Sequence, residues 1–155
     1  MPHFAHRRRV CYSPDEMFAL VADIERYPQF LPWCTHLKIR ERREEGDKTI
    51  LIADMTIAFA VVSERFGSKV TLVPAERRIN VEYVDGPFRY LHNRWHFEPG
   101  PTDQGSLVDF DIDFEFKSRP LSILIGAVFQ RTVLRLVHAF EVRAEALYGR
   151  RAAAS

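Results

Sequence analysis

Between Val108 and Phe116 the chain has a period of two: Val108, Phe110, Ile112, Phe114 and Phe116 alternate with Asp109, Asp111, Asp113 and Glu115. A strand sends successive side chains to opposite faces, so this segment reads as a strand with one apolar and one charged face. The same phase runs along Leu51, Ala53, Met55, Ile57 and Phe59, along Ile79, Val81 and Tyr83, and along Leu91, Asn93, Trp95 and Phe97. Turn residues at Glu45-Gly46-Asp47, Pro74-Ala75-Glu76, Asp85-Gly86-Pro87 and Pro99-Gly100-Pro101 divide residues 35 to 117 into antiparallel strands. Such a sheet buries only one face, and that face needs a cover.

The cover is found at the C-terminal end. Ser118-Arg119-Pro120 opens a long helix predicted to reach about Tyr148 and to stop at Gly149, where a positive φ is cheapest. Its apolar stripe is Ile125, Phe129, Val133, Leu136, Val137, Phe140, Ala144 and Leu147, with Arg131, Arg135, His138, Glu141 and Glu145 opposite. A second, short helix is signalled by Ser13-Pro14-Asp15-Glu16: a capping hydroxyl, a proline at the first helical position and acids in the first turn. It is expected to stop near Tyr27-Pro28, before the apolar loop YPQFLPWC. The order strand, helix, strands, long helix is an α+β fold, with the sheet curved around the last helix.

At 155 residues, 46% hydrophobic and 28% charged, the composition is that of a globular chain rather than a disordered or coiled-coil one. A single domain over 1–149 with a tail at 150–155 is expected. Lys and Arg total 22 against 21 Asp and Glu, so no global field attracts a polyanion, and DNA binding is not expected. Two cysteines, Cys11 and Cys34, are too few for a disulfide framework and read as small buried groups in a reducing compartment. No apolar run resembles a signal peptide or a membrane span, which makes the cytoplasm the expected location.

The inward list is rich in aromatics: Phe59, Phe66, Phe88, Trp95, Phe97, Phe110, Phe114, Phe116 and Phe129, with Tyr27, Phe30 and Trp33 from the loop. They either make a closed core or line an apolar gap where the bent sheet and the straight helix part; periodicity leaves both open. Glu64, Ser68 and Asn93 share the inward phase as polar groups. Leu121, Leu124 and Val128 extend the apolar surface of the long helix beyond its stripe, toward a loop, a cavity mouth, a membrane or a partner.

Signals for catalysis and metal binding are weak. GxSxG, HExxH, GxxxxGK[ST] and GxGxxG are absent. Cys34 and His36 offer too few ligands for a structural zinc, and His92 and His96 stand about 13 Å apart on one strand face. No metal or catalytic residue is therefore assigned. The outer Asp109, Asp111, Asp113 and Glu115 are expected to pair across the ladder with His92, Arg94 and His96. Arg7, Arg8 and Arg9 form a basic triplet of which only alternate members share a face.

The segments SPDEMFALVADIERYPQFLPWC, FGSKVT, GPFRYLHNRWHFEP, VDFDIDFEFKS and HAFEVRAEALYG resemble, in order and spacing, the coenzyme-Q-binding branch of the START-like, helix-grip superfamily. The resemblance covers residues 3 to 149. It implies a sheet of about seven strands gripping the C-terminal helix, with a hydrophobic tunnel between them. It also implies non-enzymatic binding of ubiquinone or a similar polyprenyl lipid, as a carrier or chaperone that supports respiration, with contact at the inner-membrane surface. No cofactor is implied beyond that ligand.

On this reading the tunnel is lined by Tyr27, Phe30, Leu31 and Trp33 of the loop and by Phe59, Phe66, Ser68, Phe88, Leu91, Asn93, Trp95 and Phe110 of the sheet. Ile125, Phe129 and Val133 line it from the helix. Ser68 and Asn93 are the candidates for hydrogen bonds to a quinone carbonyl. Two alternatives accompany the resemblance. One is a ribosome-binding regulator like the family's toxin branch, using Arg7, Arg9, Arg40, Arg42 and Arg43 on phosphates. The other is a polyketide cyclase or dehydrase using Glu64, Tyr83 or Asn93.

Overall fold

The computed structural model describes residues 3–31, 33–59, 62–100 and 105–149, without the side chains of Phe59, Val62, Val128, Phe129 and Gln130. The tail at 150–155 lies outside the described residues. In chain order the elements are β1 (His3–Val10), α1 (Pro14–Ala22), β2 (Cys34–Glu45), β3 (Lys48–Phe59), β4 (Val62–Val73), β5 (Arg78–Asp85), β6 (Phe88–Pro99), β7 (Ser106–Phe116) and α2 (Arg119–Tyr148). All seven strands form one antiparallel sheet in the order β1-β7-β6-β5-β4-β3-β2. This is the expected α+β, helix-grip architecture: the sheet curves and α2 lies on its apolar face.

The curvature has a local origin. Register shifts interrupt the ladders at Cys34/His36, Ile39/Glu41, Gly67/Ser68 and Phe88/Tyr90, and each such bulge bends its strand and increases twist. They also explain the spacing of inward residues: Phe88 and Leu91 are both buried although an odd number of residues apart, because the bulge between them resets the phase. At the turn between β5 and β6, Gly86 has φ +136°, and a Cβ there would lie 2.7 Å from that of Phe66. Only glycine fits.

Both helix starts are as expected. Ser13 Oγ accepts from Glu16 N at 3.1 Å while Glu16 Oε1 accepts from Ser13 N at 2.9 Å, a reciprocal cap. Ser118 Oγ accepts from Leu121 N at 3.3 Å at the head of α2, and Gly149 closes its end with φ +85°.

Four expectations need correction. The first helix ends at Ala22, because Asp23 (φ −82°, ψ 68°) leaves helical geometry and residues Ile24–Gln29 continue as a 3-10 turn containing Pro28. Leu147 is 49% exposed rather than inward; the last turn of α2 rests on α1 through Tyr148, whose hydroxyl donates to Glu16 O at 2.9 Å and whose ring meets Tyr12. Glu141 is half-buried rather than on the solvent side, held by Arg8 Nε at 2.7 Å. Arg7, Arg8 and Arg9 are all exposed because β1 is an edge strand, although Arg7 and Arg8 are on opposite faces, opposite Asp109 and Val108 respectively.

On the convex face the acids of β7 are flanked on both sides. Arg7 of β1 reaches Asp109 at 2.8 Å and Glu98 at 2.8 Å, and His3 and Arg94 meet Asp111 at 3.1 and 3.2 Å. Burial pushes the Asp111 carboxyl up, but the hydrogen bonds from His3 and Arg94 outweigh it and hold the group below its usual range. These exposed pairs add little individually; they favour one register over its neighbours.

Removal of the α1 cap by Ser13→Ala is expected to cost about 1 kcal/mol, read as a lower midpoint in urea denaturation with an unchanged slope.

Candidate functional site

Two apolar clusters form on the concave face. The larger includes Tyr27, Leu31, Leu51, Val70, Ile79, Trp95, Phe97, Phe110, Val133 and Phe140. The smaller, under the start of α2, comprises Phe66, Phe88, Leu91, Phe114, Phe116 and Leu121, with Ile125 packed against it. Phe88 stacks on Phe116 at 4.5 Å and meets Phe66 and Phe114 edge to face at 5.2 and 5.8 Å.

Between the clusters the packing loosens. Val81, Asn93 and Ile112 stand side by side in register across β5, β6 and β7. All three are only half-buried, while Ile79, Leu91, Trp95, Phe110 and Phe114, two residues away along the same strands and on the same face, are buried. The middle of a central strand is where a filled two-layer core is densest. Here it borders accessible space. Met55, Val81 and Ile112 pack against both clusters and so mark the boundary of this hollow. The two parts of α2, Arg119–Ala127 and Arg131–Tyr148, lie at 64° to each other.

The sequence-derived candidates divide among these environments. Tyr27 is buried, its hydroxyl donates to Val21 O, and burial pushes its phenol pKa far up. Phe30 meets Tyr27 and Phe140 edge to face at 5.8 and 5.3 Å and carries the Arg143 guanidinium at 5.2 Å from its centroid. With buried Leu31, this half of the loop is committed to the larger cluster, as are Trp95, Phe110 and Val133. Trp33 is half-buried, and its carbonyl accepts from Ala58 N at 2.8 Å. Phe66, Phe88 and Leu91 belong to the smaller cluster. Ser68 is buried opposite Ala53 and Tyr83, and Ile125 is half-buried. The side chains of Phe59 and Phe129 lie outside the described residues.

Asn93 borders the hollow, but its amide is occupied: Nδ2 donates to Asp111 O at 2.9 Å and Oδ1 accepts from Trp95 Nε1 at 3.0 Å. Its chief task is to fix the indole. Tyr83 Oη accepts from Phe88 N at 3.2 Å. Glu64 is half-buried opposite Ile57. Two of the three groups considered for acid–base chemistry thus serve the backbone or a neighbouring side chain. Cys34 is buried, which pushes its thiol up to about 11, the behaviour of a packing group rather than a nucleophile.

Sequence reasoning missed two arrangements. His96, Glu98 and Asp109 bring donor atoms within 4.8 Å of one another on the convex face. Arg7 already bridges both carboxylates, so the cluster is an ion-pair network. The second is a cleft of about 30 Å³ lined by His6, Arg8, Val10, Met17, Trp95, Phe110, Phe140 and Glu141 among others. The inward phase of His6 and Arg8 follows from their pairing opposite Phe110 and Val108; a short edge strand with polar residues on both faces carries no readable phase of its own. Of the arginines considered for phosphate contact, Arg7, Arg40, Arg42 and Arg43 are each paired with a carboxylate, Arg40 with Asp54 and Arg42 with Glu25.

Comparison with known proteins agrees with this architecture. Residues 10–141 match the family model described as polyketide cyclase / dehydrase and lipid transport. The chain is 34% identical over 151 residues to the ribosome association toxin RatA of Escherichia coli, covering 97% of this chain and 92% of that one. It is 32% identical over 142 residues to the coenzyme Q-binding protein COQ10 homolog B of Xenopus laevis, covering 90% of this chain and 56% of that one. Among solved structures, the 18 kDa protein CC1736 of Caulobacter crescentus superposes with a TM-score of 0.81 at 33% identity, covering 97% of this chain and 100% of that one. The fold of the sheet and its C-terminal helix is thus shared with the Caulobacter protein, and the chain belongs to the polyketide cyclase / dehydrase and lipid transport family.

Proposed function

We propose that this chain binds an apolar lipid of the polyprenylated quinone type in the hollow between sheet and α2, and acts as a non-enzymatic carrier or chaperone that supports respiration. The observation that carries this reading is the half-buried row Val81, Asn93 and Ile112 between two well-packed clusters. The name of the Xenopus relative, a coenzyme Q-binding protein, supplies the ligand class. Each methylene-sized group moved from water into such a space contributes about 0.8 kcal/mol, whereas a neutral hydrogen bond contributes about 1 kcal/mol. The tail therefore supplies most of the affinity and the head supplies selectivity.

Native mass spectrometry of freshly isolated protein is expected to show a co-purifying quinone. Val81→Phe is expected to reduce its occupancy while costing less than about 1 kcal/mol of stability, since the ring enters free space; in a filled core the same change costs about 1–3 kcal/mol. Recovery of no lipid, with Val81→Phe destabilising by the larger amount, would sink the proposal.

The same reading gives α2 a second task, at the inner-membrane surface. Among the described residues no single helix is long and apolar enough to cross a membrane. From Arg119 to Phe140, however, α2 carries no Asp or Glu. Ile123 and Leu124 are 71% and 39% exposed beside the smaller cluster, with Lys117, Arg119, Arg131 and Arg135 also exposed. Exposed apolar residues with cationic flanks suit an anionic bilayer. Sedimentation with phosphatidylcholine–phosphatidylglycerol vesicles is expected to retain the protein, with weaker binding at high salt and at least about a tenfold loss for Ile123→Glu/Leu124→Glu. Equal recovery of both proteins in the supernatant overturns membrane contact.

The E. coli relative's name suggests the ribosome as a competing partner. An unchanged 70S fraction on sucrose gradients after overexpression removes that reading.

A further inference from the structure

The second part of α2, Arg131–Tyr148, has two faces. Val133, Phe140 and Ala144 are buried toward the sheet. Arg131, Leu134, Arg135, His138, Val142 and Glu145 are all exposed, and at 3.6 residues per turn they fall within an arc of about 100° on the opposite side. Leu134 and Val142 are 46% and 51% exposed there. The charges on this face are segregated. Arg131 and Arg135 are four residues apart, as are Glu141 and Glu145, and like charges at that spacing weaken a helix. No position three or four residues from Arg131, Arg135 or Glu145 offers the opposite charge. Among the described residues none of these three side chains makes an ion pair, whereas Glu141 is held by Arg8.

The pattern is symmetric about His138. Arg131 and Glu145 lie seven residues before and after it, and Leu134 and Val142 lie four before and after it. We propose that this face is an isologous contact with a second copy of the chain, the two helices packing antiparallel about a two-fold axis at His138. Such an axis sets each residue opposite its mirror position. Arg131 of one copy then meets Glu145 of the other, and Leu134 meets Val142, twice each in one dimer. The apolar pairs lie nearer the axis and the ion pairs flank them about 10 Å from it along the helix, an apolar centre with a charged rim. A parallel arrangement would set arginine against arginine and glutamate against glutamate, so the charges select the antiparallel one. Of the cations assigned above to a bilayer, Lys117 and Arg119 stay free, while Arg131 is taken up by the second copy.

Sedimentation equilibrium of the full-length protein, from micromolar to millimolar concentration, is expected to show the average mass rising from one chain toward two. A single helix pair is at the small end of protein interfaces, so the dimer is weak and reversible. Arg131→Glu and Glu145→Arg each turn two attractive pairs per dimer into two repulsive ones, and each is expected to weaken association at least about tenfold. The chain carrying both changes restores opposite charges at each end of the contact and is expected to return to within about threefold of the parent. Both altered side chains are exposed, so the fold tolerates the changes. A parent that stays monomeric throughout overturns the proposal, and a loss of vesicle retention in Arg131→Glu then assigns the face to the bilayer. A dimer indifferent to both single changes overturns it as well, because it uses another surface. Association that both single changes abolish and the double change does not regain overturns the antiparallel pairing.

Discussion

A sheet that is apolar on one side and charged on the other has to be covered on the apolar side, and in this chain one C-terminal helix supplies most of the cover. β3 to β7 each place hydrophobic side chains on the concave face, and α2 meets them through Leu121, Ile125, Val133, Leu136, Phe140 and Ala144. A helix is about 10–12 Å across, whereas the width of a sheet grows by about 4.8 Å per strand. A single helix therefore cannot fill seven strands of curved surface. The chain closes the two ends, with aromatic side chains at one and with α1 and the 27–31 loop at the other. The middle is left less densely packed.

The convex face solves a different problem. Asp109 and Asp111 are flanked by Arg7 and His3 from β1 and by His96 and Arg94 from β6. Charges exposed to water add little stability each, yet a one-residue slip would set apolar side chains against water along a whole strand and break every one of these pairs. The same ladder takes up Arg7, while Arg40, Arg42 and Arg43 pair with carboxylates elsewhere, Asp54, Glu25 and Glu41 respectively. The acid-free part of α2, from Arg119 to Phe140, carries Arg119, Arg131 and Arg135 with no acidic residue beside them in the helix.

Much of the fold was legible in residue order. The alternation from Val108 to Phe116, the cap at Ser13, the proline after Ser118 and the glycine at position 149 each mark a local event, and local events are read through spacing. The early end of α1 at Ala22 was not legible, since it depends on the backbone of Asp23. Nor was the exposure of Leu147, because whether a helical position is covered depends on where the sheet stops. The boundary between Phe59 and Val62 carries neither glycine nor proline, and it emerges only from the pairing of β3 with β4.

The sequence by itself determined which side chains face inward on β3, β5, β6 and β7, that a long C-terminal helix must cover them, and that the concave face is aromatic, because a strand's faces follow from a period of two and a helix's stripe from 3.6. Only the tertiary structure decided which of those inward residues are packed and which border open space. It sets Tyr27, Phe30 and Leu31 into the core, leaves Val81, Asn93 and Ile112 accessible, and turns His6 and Arg8 of an edge strand toward α2. The reason is that an empty volume belongs to no residue. It arises from the mismatch between the bend of one element and the path of another, set by bulges and by an angle within α2 that no spacing of residue types encodes.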